Sequence, residues 1–280
     1  MINYLPRIDA HQHYWLIRRG DYSWMNGDMG VLYKDYLPID LEPELKKHNI
    51  HGSILVQAAP TYEETDFLLS LATRNQSILG VVGWMNPQDY EWERRIRDYM
   101  NHCKWVGFRL MIEYMEDLLV LLSEPCISML NFCARNNISV DVLARVHQLP
   151  ALIKLLERVP DLRVVLDHLA KPDVRQAELD PWLTYVRNLS NNPNVFVKLS
   201  GLVTEAGDKW LYTDFTPYIH YALEYFGTER VMFGSDWPVC LTAASYEQVI
   251  DIINSNIPND FLQDGLWGEN ARRFYGIKSL

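Results

Sequence analysis

The sequence predicts an α/β fold, a (β/α)8 barrel of the TIM type. Three observations carry the prediction. Eight short apolar, β-branched runs recur along the chain: "RIDAHQH", "GSILVQA", "ILGVVGWM", "WVGFRLM", "ISVDVLA", "RVVLDHLA", "VFVKLSG" and "RVMFGSD". Near-continuous apolarity is what strands covered on both faces require. The stretches between them are long enough to hold helices, so parallel strands joined by right-handed helical crossovers follow. Finally, 280 residues with 48% hydrophobic content and no low-complexity tract suit one large barrel, a single domain over residues 1–280.

Taken in order, the first run ends in His11 and His13. Side chains alternate along a strand, so two histidines one residue apart point the same way and can converge on one atom. An irregular, aromatic, Gly-containing insertion, "RRGDYSWMNGDMGVLYKDY", then delays the first helix. A loop of this kind over a barrel mouth is a candidate substrate lid. "PIDLEPELKKHNI" reads as a helix with Leu41, Leu45 and Ile50 on one side. "LPALIKLLERVPDL" reads as another, apolar at Leu149, Leu152, Ile153, Leu155 and Leu156 and stopped by Pro160 and Asp161. The tail "FLQDGLWGENARRFYGI" reads as a last helix whose Leu266, Trp267 and Phe274 close the outer ring of the barrel.

Composition excludes several classes of function. Asp and Glu outnumber Lys and Arg by 36 to 26, the net charge is −10 and no basic run accumulates, so nucleic acid and anionic membrane are poor partners. The N-terminus has no signal-peptide pattern, and no apolar run approaches the roughly 18 residues that a membrane span needs. A cytoplasmic protein is expected. Cys103, Cys126, Cys133 and Cys240 show no Cys-x-x-Cys spacing and read as free thiols.

A barrel of this type carries its active site at the carboxyl ends of its strands. The residues there are His11 and His13 on strand one, Gln57 on two, Trp84 on three and Arg109 on four. Strand six ends in Asp167 and His168, strand seven in Lys198 and Ser200, and strand eight in Ser235, Asp236 and Trp237. Asp236 follows Gly234, where the backbone can turn, and a carboxylate beside neutral imidazoles is suited to deprotonating water. The rival use, an N-cap for the next helix, is disfavoured by Trp237-Pro238. Of Asp167 and His168, either is the inward-facing member, because neighbours on a strand face opposite ways. Arg109 is an expensive charge in an apolar strand unless it meets an anion, a polarised carbonyl or an ion-pair partner. His48, His51, His102 and His220 fall in or beside helices; His147, just after strand five, stays open.

"IDAHQHYW", "GFRL", "DHLAKP", "LSGLVTEA" and "MFGSDWPV", in this order and at these strand ends, resemble the amidohydrolase superfamily. The similarity is to its amidohydrolase-2 branch of sugar-lactone hydrolases, the L-fuconolactonase and L-rhamnonolactonase-like enzymes, and it runs from Ile8 to about Ile277. The resemblance implies a barrel with His11, His13 and Asp236 in the site. It also implies a Lys or Glu on strand four and a histidine on each of strands five and six. Here the chain departs from the pattern: strand four offers Arg109, strand five ends in "DVLA", and only strand six supplies a histidine, His168.

Without a bridging carboxylate or lysine on strand four, a two-metal site is not expected. His11, His13, His168 and Asp236 could hold a single divalent ion such as zinc, or the site could work without one; the expectation is activity that does not strictly require metal. The expected reaction is opening of an aldono-1,4- or 1,5-lactone. Asp236 takes a proton from water, and His11, His13, His168 and Arg109 stabilise the oxyanion. Trp24, Gln57, Trp84 and Lys198 are expected to orient the sugar. The partner is a small molecule, with self-association left open. Rival readings are a metal-dependent decarboxylase or amide hydrolase on the same barrel, and a sugar-acid binding protein without turnover.

Overall fold

The computed structural model describes residues 6–257 and 265–278. The eight runs form eight strands: β1 (Arg7–Gln12), β2 (Ile50–Val56), β3 (Ile78–Trp84), β4 (Trp105–Met111), β5 (Ser139–Leu143), β6 (Val164–Leu166), β7 (Val195–Leu199) and β8 (Val231–Phe233). They pair in parallel in sequence order. The two ends meet where Asp236 N donates to His11 O at 2.8 Å and His13 N to Trp237 O at 2.7 Å, so the barrel is nearly closed. Helices α1 (Pro38–Lys47), α2 (Tyr62–Arg74), α3 (Trp92–Met100), α4 (Glu124–Arg135), α5 (Leu149–Arg158), α6 (Trp182–Ser190), α7 (Thr216–Phe226) and α8 (Tyr246–Asn256) alternate with the strands. The first predicted helix ends earlier than its sequence suggests. Asn49 turns left-handed with φ 55°, which breaks the helix and releases Ile50 to start β2.

The buried apolar residues separate into two clusters. The larger lies between strands and helices; the smaller holds Ile54, Val82, Val165 and Met232 together with Phe274 and Tyr275 of α9 (Asn270–Tyr275). The second cluster is the barrel's inside. The tail divides between the two: Leu266 and Trp267 join the outer cluster, as the pattern suggests, while Phe274 packs into the barrel's inside, where α9 lies against β1 and β8 and closes the end opposite the mouth. The first residues of that predicted helix, 261–264, lie outside the described ones. The period of two then carries the inward face upward from Val165 to Asp167, from Phe196 to Lys198 and Ser200, and from Met232 to Gly234 and Asp236. Apolar side chains fill the bottom and charged ones the top.

The insertion after β1 is pinned at the mouth. Trp15 and Tyr36 exchange backbone hydrogen bonds at 2.9 Å, and the Trp15 ring packs against Trp24 and Tyr36 at centroid distances of 5.6 and 5.4 Å. A short 3-10 segment, Gly27–Leu32, brings Met29 and Leu32 over the opening.

Candidate active site

His11 and His13 meet as their spacing predicts, with Nε2 atoms 3.2 Å apart. His13 Nδ1 donates to Val56 O at 2.7 Å, which leaves its Nε2 lone pair facing the centre. His11 Nδ1 accepts from the Lys198 ammonium at 3.0 Å, so the His11 proton sits on Nε2, directed at the His13 Nε2 lone pair. Asp167 Oδ1 is also near His11 Nδ1, at 3.1 Å, without an aligned hydrogen bond. That carboxylate would accept the proton if His11 took the other tautomer.

Asp236 Oδ1 lies 3.3 Å from His13 Nε2, 3.7 Å from His11 Nε2 and 3.9 Å from His168 Nε2. Asp236 has φ 57° and adopts the left-handed turn that aims its carboxylate at the imidazoles. Gly234 is required two residues earlier, since a Cβ there would sit 2.7 Å from His11 Cβ. The choice between Asp167 and His168 dissolves in the structure. The strand stops at Leu166, and residues 168–171 all have positive φ, so the alternation that would separate the pair does not apply. Both reach the site. His168 Nδ1 meets Ser200 Oγ at 2.9 Å, and Gly201 lies so close that a Cβ would approach that Nδ1 to 2.5 Å.

Arg109 Nε donates to Asp167 Oδ2 at 2.8 Å, its Nη1 to Gln57 O at 3.3 Å, and its Nη2 lies 3.5 Å from His168 Nε2. Its charge is thus paired and still faces the cavity. Burial pushes the His168 imidazolium down to about 4 against the pull of Asp236 and Asp167, so the ring is neutral at pH 7. Burial alone would raise Asp236, but the cluster of imidazoles around it, His168 foremost, outweighs burial and holds the carboxyl well below the usual range. An ionised carboxylate beside the neutral His11 and His168 rings is placed to hold and orient a water by hydrogen bonding.

These groups floor a cavity of about 230 Å³. Arg109, His13, His168 and Asp236 line its base; Trp15, Trp24, Met29, Leu32 and Val239 make an apolar wall; Met111, Tyr114, Lys171 and Thr204 complete it. Trp24 is held by its indole N–H to Ala58 O at 2.8 Å. Three residues expected to hold sugar stand elsewhere. Lys198 is fully buried beneath His11, bound to Asp141 at 2.5 Å and 3.0 Å from Asp167, where no sugar reaches it. Gln57 is buried and donates its amide to Ala59 O and Met111 Sδ, reaching the site only through its backbone oxygen on Arg109. Trp84 lines a neighbouring cavity. His147 is exposed and does not line the site.

Asp141 is the residue the sequence reading passed over. It accepts from Lys198 and from Tyr275 OH at 2.9 Å, and together with Asp167 it balances the lysine. A lone carboxylate in the apolar run "ISVDVLA" was the available signal, because a buried charge needs a partner. Lys171, paired with Glu113 at 2.7 Å on the rim, is a lining residue that the strand-end pattern did not mark.

The donor set fits a single divalent ion. Four ligands at the roughly 2.0–2.1 Å of zinc–nitrogen and zinc–oxygen bonds stand about 3.3 Å apart in a tetrahedron. His11, His168 and Asp236 offer atoms all within 4.8 Å of one another, and His13 Nε2 adds a fourth, 3.2 Å from His11 Nε2 and 3.3 Å from Asp236 Oδ1. A metal would need the His11 Nε2 lone pair, and Asp167 stands ready to take the displaced proton on Nδ1.

The chain is 35% identical over 285 residues to an L-fucono-1,5-lactonase of Burkholderia multivorans, covering 97% of this chain and 96% of that one. It is 34% identical to an L-fucono-1,5-lactonase of Burkholderia ambifaria over 243 residues, 86% of this chain and 83% of that one. A crystal structure of an amidohydrolase from Burkholderia multivorans with bound zinc superposes with a TM-score of 0.91 at 36% identity, covering 98% of this chain and all of that one. The sequence pattern of the amidohydrolase family matches residues 8–277. Fold, strand-end residues and relatives agree: the chain belongs to the amidohydrolase family.

Proposed function

We propose that the chain is a carboxylic-ester hydrolase that opens an aldono-lactone, with the 1,5-lactone of a six-carbon sugar acid as the first substrate to test. The observation that carries this reading is Asp236, ionised at the base of the cavity with three imidazole nitrogens within 3.9 Å of one oxygen. The lactonase relatives support the substrate class.

In this reading Asp236 holds a water and takes its proton as the oxygen attacks the ester carbonyl. The His11 Nε2–H and the Arg109 guanidinium receive the charge that grows on the carbonyl oxygen. The ring C–O bond then breaks, and the proton on Asp236 passes to the departing alkoxide, giving the open hydroxy acid and the ionised base again. The apolar wall of Trp15, Trp24, Met29 and Leu32 excludes bulk water and meets the C–H face of the sugar.

A bound divalent ion would be held by His11, His13, His168 and Asp236, and would polarise the carbonyl or acidify the water. We read it as compatible with the site and not strictly required, because Arg109 and His11 already present donors. The acidic surface and small cavity favour a small-molecule partner. No helix of the described residues is long and apolar enough to cross a membrane. All four cysteines are unpaired, which supports a reducing, cytoplasmic setting.

The test is proton release from a panel of aldono-1,4- and 1,5-lactones, run on chelator-treated and zinc-reconstituted protein. Turnover of at least one lactone, surviving chelation and abolished in Asp236→Asn, is expected. No lactone opened above its spontaneous rate would end the proposal.

A further inference from the structure

The catalytic cavity shares Met111 and Tyr114 as a wall with a second cavity of about 430 Å³. That volume falls in the range of ligand sites, about 300–1,000 Å³, while the catalytic cavity is smaller. The second cavity presents the half-buried indole of Trp84, packed on Tyr62 at a centroid distance of 5.1 Å, with Asn86 and Gln88 amides and Glu116 and Asp117 carboxylates. Asn86 Oδ1 accepts from Gln88 N at 2.9 Å, which fixes the amide; among the described residues its Nδ2 donates to none. Asp117 Oδ1 accepts from Leu119 N at 2.8 Å, and among the described residues its other oxygen accepts from none. Among the described residues, no Lys, Arg or His lines the cavity.

This chemistry selects its ligand. Two carboxylates without a cation repel an anion, so a phosphate or a second sugar acid is excluded. An aromatic face flanked by an amide donor and carboxylate acceptors suits a neutral polyol, whose C–H face meets the ring and whose hydroxyls meet the polar groups. A wall of two side chains, one of them the exposed Tyr114, separates this place from the reacting carbonyl.

We propose that the second cavity is a sugar subsite, and that the substrate class includes aldono-lactones carrying a neutral glycosyl group on a ring hydroxyl, with the lactone at Asp236 and the glycosyl group on Trp84. The inference rests on the lactonase reading, and its chemistry is the same water attack on the same ester.

The experiment uses whichever simple aldono-lactone the enzyme opens, and the same lactone bearing a β-hexosyl group on each free hydroxyl in turn. kcat/KM is measured for wild type, Val120→Trp, which fills the cavity from its rim, and Asn86→Asp, which keeps the acceptor for Gln88 N and removes the donor. At least one glycosylated lactone is expected to match or exceed the parent, and both variants should lower its kcat/KM about tenfold while the parent changes little. A methyl β-hexoside, added with the parent lactone, separates an attached sugar from a free one. If every glycosylated lactone is opened far more slowly than the parent, or if only the free hexoside alters turnover, the subsite proposal fails while the lactonase reading stands. If no lactone of either kind is opened, the lactonase reading itself fails. Equal losses on parent and glycosylated lactone would overturn the subsite and assign the variants a structural effect.

Discussion

Two tiers of charged residues share the inside of the barrel, and they are built in opposite ways. In the lower tier Lys198, Asp141, Asp167 and Tyr275 are fully buried or nearly so and pair with one another around the lysine. In the upper tier His13, His168, Arg109 and Asp236 keep lone pairs, an N–H or a negative charge turned toward the cavity. The difference teaches how work is divided: the lower tier spends its charges on fixing His11 and Arg109, and the upper tier leaves its own for a substrate. Removing an upper residue should therefore cost rate, and removing a lower one should cost stability first.

The largest effect is expected at Asp236. Asp236→Asn keeps the volume and removes the base, and kcat should fall toward the upper end of the ~10²–10⁴-fold typical of lost proton transfer. The thermal midpoint should move little. A variant with near wild-type kcat would refute the role given to the upper tier.

Next comes Lys198→Met, which leaves Asp141 buried without a cation and Asp167 with Arg109 alone. Breaking a buried ion pair in this way costs about 3–5 kcal/mol, read from urea unfolding. The double variant with Asp141→Asn should recover part of that loss. If the single substitution is neutral, the lower tier is not the brace described above.

The two tiers also differ in how well the sequence announced them. The eight strands were legible because burial on both faces writes a continuous apolar run, and His11, His13, His168, Arg109 and Asp236 stood out as polar interruptions at strand ends. The left-handed run at 168–171 left no such trace, since non-glycine residues hold it, so the partnership of Asp167 with His168 was hidden. Lys198 was visible as a strand-end polar residue, but one position along a strand does not reveal depth. Only the tertiary arrangement, with Tyr275 rising from α9 to meet Asp141, shows that it lies below the floor. Which cavity Trp84 lines was hidden for a similar reason: adjacent cavities at one barrel mouth look alike in one dimension.

A third contrast lies just outside the barrel wall. Glu64 on α2 is fully buried and accepts from Ala58 N at 3.0 Å and Ala59 N at 2.6 Å, bracing the loop whose Ala58 O receives Trp24. Unlike the lower tier it has no cation, and burial raises its carboxyl to about 8 against the pull of those backbone hydrogen bonds. The folded protein thus holds this proton more tightly than the unfolded chain does. Its contribution to stability is full below about pH 4.5 and is lost as pH rises through the folded value. Between pH 5 and pH 7 the loss amounts to roughly 2–3 kcal/mol. Glu64→Gln keeps an acceptor for the amides and abolishes the titration, so its stability relative to wild type should grow with pH across that window. A pH-independent difference in urea unfolding would show that Glu64 stays ionised in the fold.

The smallest effect tests where the two tiers join. Ser200 Oγ, 2.9 Å from His168 Nδ1, is the contact that sets which His168 nitrogen faces Asp236. Ser200→Ala leaves that Nδ1 without a partner in a buried place, and nothing else holds the ring in one tautomer except the distant Arg109 Nη2 at 3.5 Å. Partners of this kind typically contribute 10–100-fold to activity or metal affinity, and the lower figure, about tenfold in kcat with KM little changed, is expected here. Zinc affinity, measured by titration calorimetry, separates two uses of His168. A drop in affinity together with metal-free kcat means that the ring acts on the reaction as well as on an ion. A drop in affinity alone would confine His168 to holding metal, and would leave oxyanion stabilisation to His11 and Arg109 without its help.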